Sequence, residues 1–233
     1  MIFRTVQIAR AVVKGMRRMS DSKPRRLAGA MPAALTGLSD HALFQDSRFD
    51  QAFLDRVEAL ILSSGFRHLS SAKLAEALGC SKRKLYQTAA TKDDLIALVI
   101  ARFFAGVRLA GWAAIDDAMP VDERIRVYLI PGEEGAKRLS TAFQIDIERT
   151  EIGREIYTAH QQERVAGLER LIQNGVDDGL IEGVNPRILA EMILLTVQRV
   201  RDPDFQAQTR MTYAEGVSHT YGILRRALRS GSS

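Results

Sequence analysis

Residues 70–88 read SSAKLAEALGCSKRKLYQT, and this stretch decides the fold. Ser70 or Ser71 is a helix N-cap, a position where a hydroxyl accepts from an otherwise unpaired backbone N–H. Leu74, Ala75 and Leu78 follow on one face of a short helix over about 71–78. Gly79 supplies the left-handed backbone of a sharp turn. Ser81 caps a further helix over about 82–88. Ala75 is small where the two helices approach, and Leu85 plugs the core between them. Two short helices joined in this way form a helix-turn-helix, whose second helix is free to enter a DNA major groove.

The second helix carries Lys82, Arg83, Lys84, Tyr86 and Gln87 on its outward surfaces. Such side chains reach phosphates, and Arg or Gln also reads base edges. Ser70, Ser81, Thr91 and Lys92 stand at helix starts, where backbone N–H groups attract phosphate. As an ordinary helix pair, the same residues would be a solvated basic face. Cys80 is expected as a small buried core residue.

Working outward, Phe53, Val57, Leu60 and Ile61 share one face of a helix over about 51–64, stopped by Gly65. Thr91 and Asp94 form a capping-box pair. The helix they open runs through Leu95, Val99 and Phe103 to about residue 116. Further helices are expected near 121–130, 134–149, 152–175, 187–200 and 206–229, with breaks at Pro120 and at Pro131-Gly132. No strand alternation is sustained, so the fold class is all-α. Three parts are expected: a basic, largely irregular extension at 1–48, a helix-turn-helix DNA-binding domain at 49–96, and a helical domain at 97–233.

Composition narrows the function. The chain has 233 residues and a net charge of +5. Residues 1–50 carry nine Lys/Arg against four Asp/Glu, and residues 51–96 seven against five. The helix-turn-helix therefore stands out by where its cations sit, not by net charge. A single cysteine excludes an internal disulfide framework and a thiolate zinc site, and points to a reducing cytoplasm. The longest apolar run, Leu95–Ala101, is far short of the roughly 20 residues of a membrane span, so no membrane role is expected. Residues 1–19 are basic and amphipathic: a surface helix, a DNA-facing arm, or an overlong reading frame with Met16 or Met19 as the start. No nucleophile triad, phosphate loop or dense metal-ligand pattern is present, so no catalytic residue, cofactor or metal is expected.

The stretch Phe53–Phe103 resembles the DNA-binding domain of TetR-family transcriptional regulators. Gly65-Phe66 resembles the family's glycine–aromatic pair. Ser70-Ser71-Ala72-Lys73-Leu74-Ala75 resembles its Thr-Ser/Thr-Val-Arg-Asp-Ile-Ala, and Leu78-Gly79-Cys80-Ser81-Lys82 its Ala-Gly-Val-Ser-Lys. Leu85-Tyr86 and Thr91-Lys92-Asp93-Asp94-Leu95 resemble its Leu-Tyr and Ser-Lys-Glu-Glu-Leu. The resemblance implies that Tyr86 and Lys92 contact the phosphate backbone and that Lys82, Arg83 and Lys84 enter the groove. Thr88-Ala89 departs from the family's His-Phe.

The resemblance further implies a one-component regulator, most commonly a repressor, that binds double-stranded operator DNA as a homodimer and responds to a small, largely apolar effector. The resemblance alone implies that the helical domain at 97–233 is a ligand-binding and dimerisation domain. The effector would be lined by residues from about 97–175, with Phe104, Arg108, Trp112, Tyr128, Phe143, Asp146, Tyr157 and His160 as candidates. Ile188, Leu189, Met192, Leu195, Thr196 and Val200 give one apolar helix face, and Met211, Tyr213, Val217, Tyr221, Leu224 and Leu228 another. These faces either pair with a second copy or complete the monomer core. The rival readings are an all-α small-molecule-binding protein or enzyme, and a helical interaction protein that has lost operator binding.

Overall fold

Capping and apolar periodicity account for most of the helices in the computed structural model, which describes residues 39–230. The amphipathic stretch at 1–19 lies outside the described residues, as does the Leu228 side chain. Among the described residues the regular structure is entirely α-helical: α1 Ala42–Gln45, α2 Gln51–Ser64, α3 Ser71–Ala77, α4 Lys82–Thr88, α5 Lys92–Ala113, α6 Val121–Ala136, α7 Thr141–Arg149, α8 Glu151–Asp177, α9 Pro186–Arg199, α10 Pro203–Thr209 and α11 Tyr213–Ser230.

Three sequence expectations are corrected. Pro131-Gly132 does not end a helix, because α6 runs through it with Pro131 inside. A proline there removes one helical hydrogen bond. Burial on both sides, through Val127, Tyr128 and Leu129 before it and Gly135 and Ala136 after it, offsets the loss. The break falls instead at 137–140, where Ser140 caps α7 by accepting from the Phe143 N–H. The helix expected over 206–229 is two helices. Asp202 caps α10 with Pro203 behind it, and Arg210 closes it in a left-handed conformation at φ 55°. Cys80 is half-buried rather than buried: it lies in the turn between α3 and α4, outside both helices.

The chain forms two compact units. The described part of one comprises residues 39–106 and 138–160, and that of the other 107–137 and 161–230. The first unit holds α2, α3 and α4 around Leu54, Val57, Ile61, Leu74 and Leu85. Arg102 braces it: its guanidinium donates to Gln51, Asp55 and Glu58 and lies 4.8 Å over the Phe44 ring. Glu58 also accepts from Arg138 at 2.6 Å. The second unit buries Tyr128, Leu129, Leu168, Ile172, Ala190, Leu194, Val217 and Leu224. An Arg225–Glu133 ion pair of 2.9 Å ties α11 to α6 within it. The helix α5 is long and apolar enough to cross a membrane by length and composition, but 83% of that stretch is buried inside the protein, as in a core helix.

Candidate nucleic-acid interface

The turn between α3 and α4 is built from backbone hydrogen bonds. Cys80 N–H donates to the Ala75 carbonyl at 2.9 Å and Gly79 N–H to that of Glu76 at 3.0 Å. This pairing of six-to-one and five-to-two bonds needs a left-handed residue just beyond the helix, and Gly79 provides it at φ 58°. Ser70 caps α3 by accepting from Lys73 N–H at 3.2 Å, and Ser81 caps α4 from Lys84 N–H at 3.3 Å. Thr91 and Asp94 bond reciprocally: Thr91 N–H donates to the carboxylate at 3.1 Å, and Asp94 N–H to the hydroxyl at 3.0 Å. Leu85 is enclosed beneath α4, and the small Ala89 is buried as well.

These constraints leave one face of α4 outward. Lys82, Arg83 and Gln87 are exposed, and neither cation has an ion pair among the described residues. Tyr86 is 50% exposed, with its hydroxyl donating to Ser71 Oγ at 3.1 Å. An aromatic ring left this open by a folded unit is suited to contact with a partner.

Lys84 and Lys92 behave differently. Lys84 is ion-paired with Asp50 at 2.7 Å and lies 5.3 Å over the Phe53 ring. The Lys84 ammonium, together with the Phe53 backbone N–H, holds the Asp50 carboxyl below its usual range. Lys92 donates to the Leu69 carbonyl at 3.1 Å and stands 3.4 Å from Asp93. Arg56 of α2 donates to the Leu78 carbonyl at the C-terminal end of α3.

Asp146 holds the loop between α2 and α3. Its Oδ2 accepts from Phe66 N–H at 2.6 Å and Arg67 N–H at 2.9 Å. Gly65 permits this approach: it stands at φ 77°, and a Cβ on it would lie 2.7 Å from that oxygen. Phe66 meets Phe143 edge-on at 5.9 Å beside the latch. A cleft of about 560 Å³ opens next to it, lined in part by Phe66, Arg67, Lys92, Ile96, Glu151 and Glu155.

The effector candidates fall into two groups. Phe104, Phe143, Asp146, Tyr157 and His160 belong to the unit that carries the helix-turn-helix. There Phe104 stacks on His160 at 4.4 Å and meets Tyr157 edge-on at 5.6 Å. Arg108, Trp112 and Tyr128 belong to the other unit, where Trp112 packs against Tyr128 at 5.0 Å. Sequence reasoning passed over Arg164, which is enclosed against Tyr128 and Tyr221. Its signal was phase: Arg164 shares the inward stripe of α8 with Leu168, Leu171 and Ile172.

No family model matches the chain. It is 24% identical over 177 residues, covering 75% of this chain and 93% of the relative, to YvaF of Bacillus subtilis (strain 168), named as an uncharacterized HTH-type transcriptional regulator. It is similar in structure to SCO4454, a TetR-family transcriptional regulator from Streptomyces coelicolor. That likeness has a TM-score of 0.58 at 15% identity and covers 85% of this chain and 98% of the other. It is also similar to the fatty acid degradation regulator FadR from Bacillus halodurans, with a TM-score of 0.55 at 18% identity, covering 75% of this chain and 97% of the other.

Proposed function

The chain having the fold of TetR-family transcriptional regulators, we propose that it is a one-component regulator that binds operator DNA as a homodimer and is released by a small-molecule effector. The observation that carries this reading is α4. A capped seven-residue helix is held by a tight turn, with Lys82, Arg83, Tyr86 and Gln87 turned outward and Leu85 turned in. Arg83 and Gln87 are the base-reading side chains, and Lys82 and Tyr86 the phosphate contacts. Lys84 and Lys92 join after exchanging Asp50 and the Leu69 carbonyl for phosphate. Ser70, Ser81 and Thr91 act as caps that hold the reading surface rigid.

Dimerisation is supported by the outward face of α9. Ile188, Met192 and Leu195 lie at helical spacing, and with Ile223 of α11 they are between 57% and 60% exposed. A folded monomer rarely leaves such a stripe open. Of the other expected dimer residues described, Val200, Tyr213, Val217, Tyr221 and Leu224 are buried within the chain and complete its core, Leu189 and Met211 are half-buried, and Thr196 is exposed. Two copies would bring two reading helices to half-sites about one helical turn of DNA apart.

Release requires that the effector favour the conformation that binds DNA less well. The regulator acts in the cytoplasm and performs no chemistry. Selection of genomic DNA fragments on the purified protein tests the reading. The expected result is a palindromic site whose recovery is lost in a Lys82/Arg83/Lys84 triple alanine variant. A selection that enriches no sequence, or is unchanged in that variant, refutes operator reading by α4 and favours a helical interaction protein.

A further inference from the structure

Among the described residues Arg164 heads the enclosed side chains by size, at 2% exposure. Its Nη1 donates to the Tyr128 carbonyl at 3.2 Å and its Nη2 to the Tyr221 hydroxyl at 3.4 Å, while its Cζ lies 4.4 Å over the Tyr128 ring. All of these partners are neutral, and among the described residues no carboxylate pairs with the guanidinium. Arginine cannot shed its proton as a buried lysine does. The cation is therefore held out of water without a counter-charge, an arrangement that destabilises a fold unless something else is gained.

A second donor lies in the same cluster. Tyr128 is fully enclosed, and its hydroxyl has no hydrogen-bond partner among the described residues. Burial pushes the Tyr128 phenol above its ordinary value, so it stays neutral and does not supply the missing negative charge. Two glycines shape the surroundings. A Cβ at Gly132 would lie 3.1 Å from Arg164 Nη2 and 3.2 Å from the Tyr221 hydroxyl, and one at Gly167 would overlap the Tyr128 hydroxyl. The cluster thus brings together a forked cation and two phenols, with Trp112 packed on Tyr128 and Arg170 lying 5.3 Å over the indole.

We propose that Arg164, Tyr128 and Tyr221 form the seat for the anionic head of the effector, and that this effector is a small monocarboxylate with an apolar body. Two carboxylate oxygens match the planar fork of one guanidinium. A single negative charge balances a single enclosed cation, whereas a phosphate dianion would leave a buried charge over. The aromatic neighbours suit an apolar body. Because the cluster is enclosed, ligand binding is coupled to an opening of its walls. The inference rests on the effector-released regulator proposed above.

Trp112 is the single tryptophan of the chain, so its fluorescence reports on the cluster directly. The experiment titrates the full chain with benzoate, cyclohexanecarboxylate and octanoate, and in parallel with their neutral primary amides. The expected result is a saturable fluorescence change with at least one acid, its amide binding at least ~10-fold more weakly, about 1.4 kcal/mol. Arg164→Met should weaken the acid at least ~10-fold, yet melt at or above the temperature of the parent when no acid is present. The inference is overturned by acids and amides that titrate alike, by fluorescence that no acid moves, or by binding that survives Arg164→Met. An Arg164→Met protein that melts lower or does not fold also overturns it, because the arginine is then structural. The operator selection is read separately. A chain that discriminates acid from amide but selects no DNA refutes the regulator and keeps the anion seat.

Discussion

Asp146→Ala removes the acceptor from two backbone donors at once. A hydrogen bond to a charged group contributes about 1.5–3 kcal/mol, and a buried donor left unmet costs about as much again as a neutral bond is worth. Phe66 N–H is enclosed, so its share of the loss is complete, whereas Arg67 is exposed and water replaces its bond. The expected destabilisation is about 2–4 kcal/mol. For a protein of this size that lowers the melting temperature by about 5–15 °C. Asp146→Asn keeps an oxygen in place but loses the charge, and should fall between the two. Circular dichroism during thermal and urea unfolding measures both. Gly65→Ala adds a second limb, since its Cβ would meet the Asp146 oxygen at 2.7 Å on a backbone at φ 77°. In the Asp146→Ala background the part of that penalty due to the oxygen disappears, while the close contact with Ala142 and the backbone strain of about 1–3 kcal/mol stay. A loss below about 0.5 kcal/mol for Asp146→Ala, or strict additivity in the double variant, refutes the latch.

Arg83→Ala should change which operator sequences are selected, while Tyr86→Ala should weaken all of them evenly; mobility-shift titrations on site variants separate the two. Met192→Asp places a charge in the open stripe of α9 and should convert a dimer to a monomer in light scattering, with an unfolding temperature that no longer rises with protein concentration. Tyr128→Phe removes a hydroxyl that has no partner, and should leave the melting temperature equal or higher at neutral pH. The same residue sets an alkaline limit. Its folded value is raised by burial, so above its ordinary value of 10.0 the unfolded chain releases the proton while the folded chain still holds it. Stability is therefore present below that pH and is lost as pH rises through the folded value. Tyr128→Phe should flatten this loss in melts followed between neutral and strongly alkaline pH.

The helix-turn-helix was legible because its information is local. Ser70, Gly79, Ser81 and the Thr91–Asp94 pair act within a few residues of themselves, and each stands where its chemistry placed it. The run through Pro131 was not legible, since tertiary burial on both sides overrode a local breaker. The start of α10 was readable in Asp202-Pro203, an N-cap followed by a proline at the first helical position, and its separation from α11 in the Thr212–Glu215 capping pair, but apolar periodicity across 206–229 masked both. At the candidate site, outward placement of Lys82 and Arg83 followed from helical phase. The ties of Lys84 to Asp50 and of Asp146 to Phe66 and Arg67 did not, because they join residues 34, 80 and 79 positions apart. For Arg164 the signal lay only in the inward phase it shares with Leu168, Leu171 and Ile172.

The Lys84–Asp50 pair would make α4 release fewer counter-ions from DNA than its sequence suggests. Each phosphate neutralised on DNA frees bound salt ions, and the logarithm of the binding constant falls by about 0.9 for each one per tenfold rise in salt. A lysine already balanced by Asp50 frees none unless it first gives up that carboxylate. Two heads with Lys82 as the one unpaired phosphate cation on each would show a shallow slope of about −2. Residues 1–38 carry eight Lys/Arg against one Asp, enough to steepen it severalfold if they lie along the duplex. The salt slope of the full chain, set against that of a chain beginning at residue 39, thus counts how many cations each part lays on the phosphates.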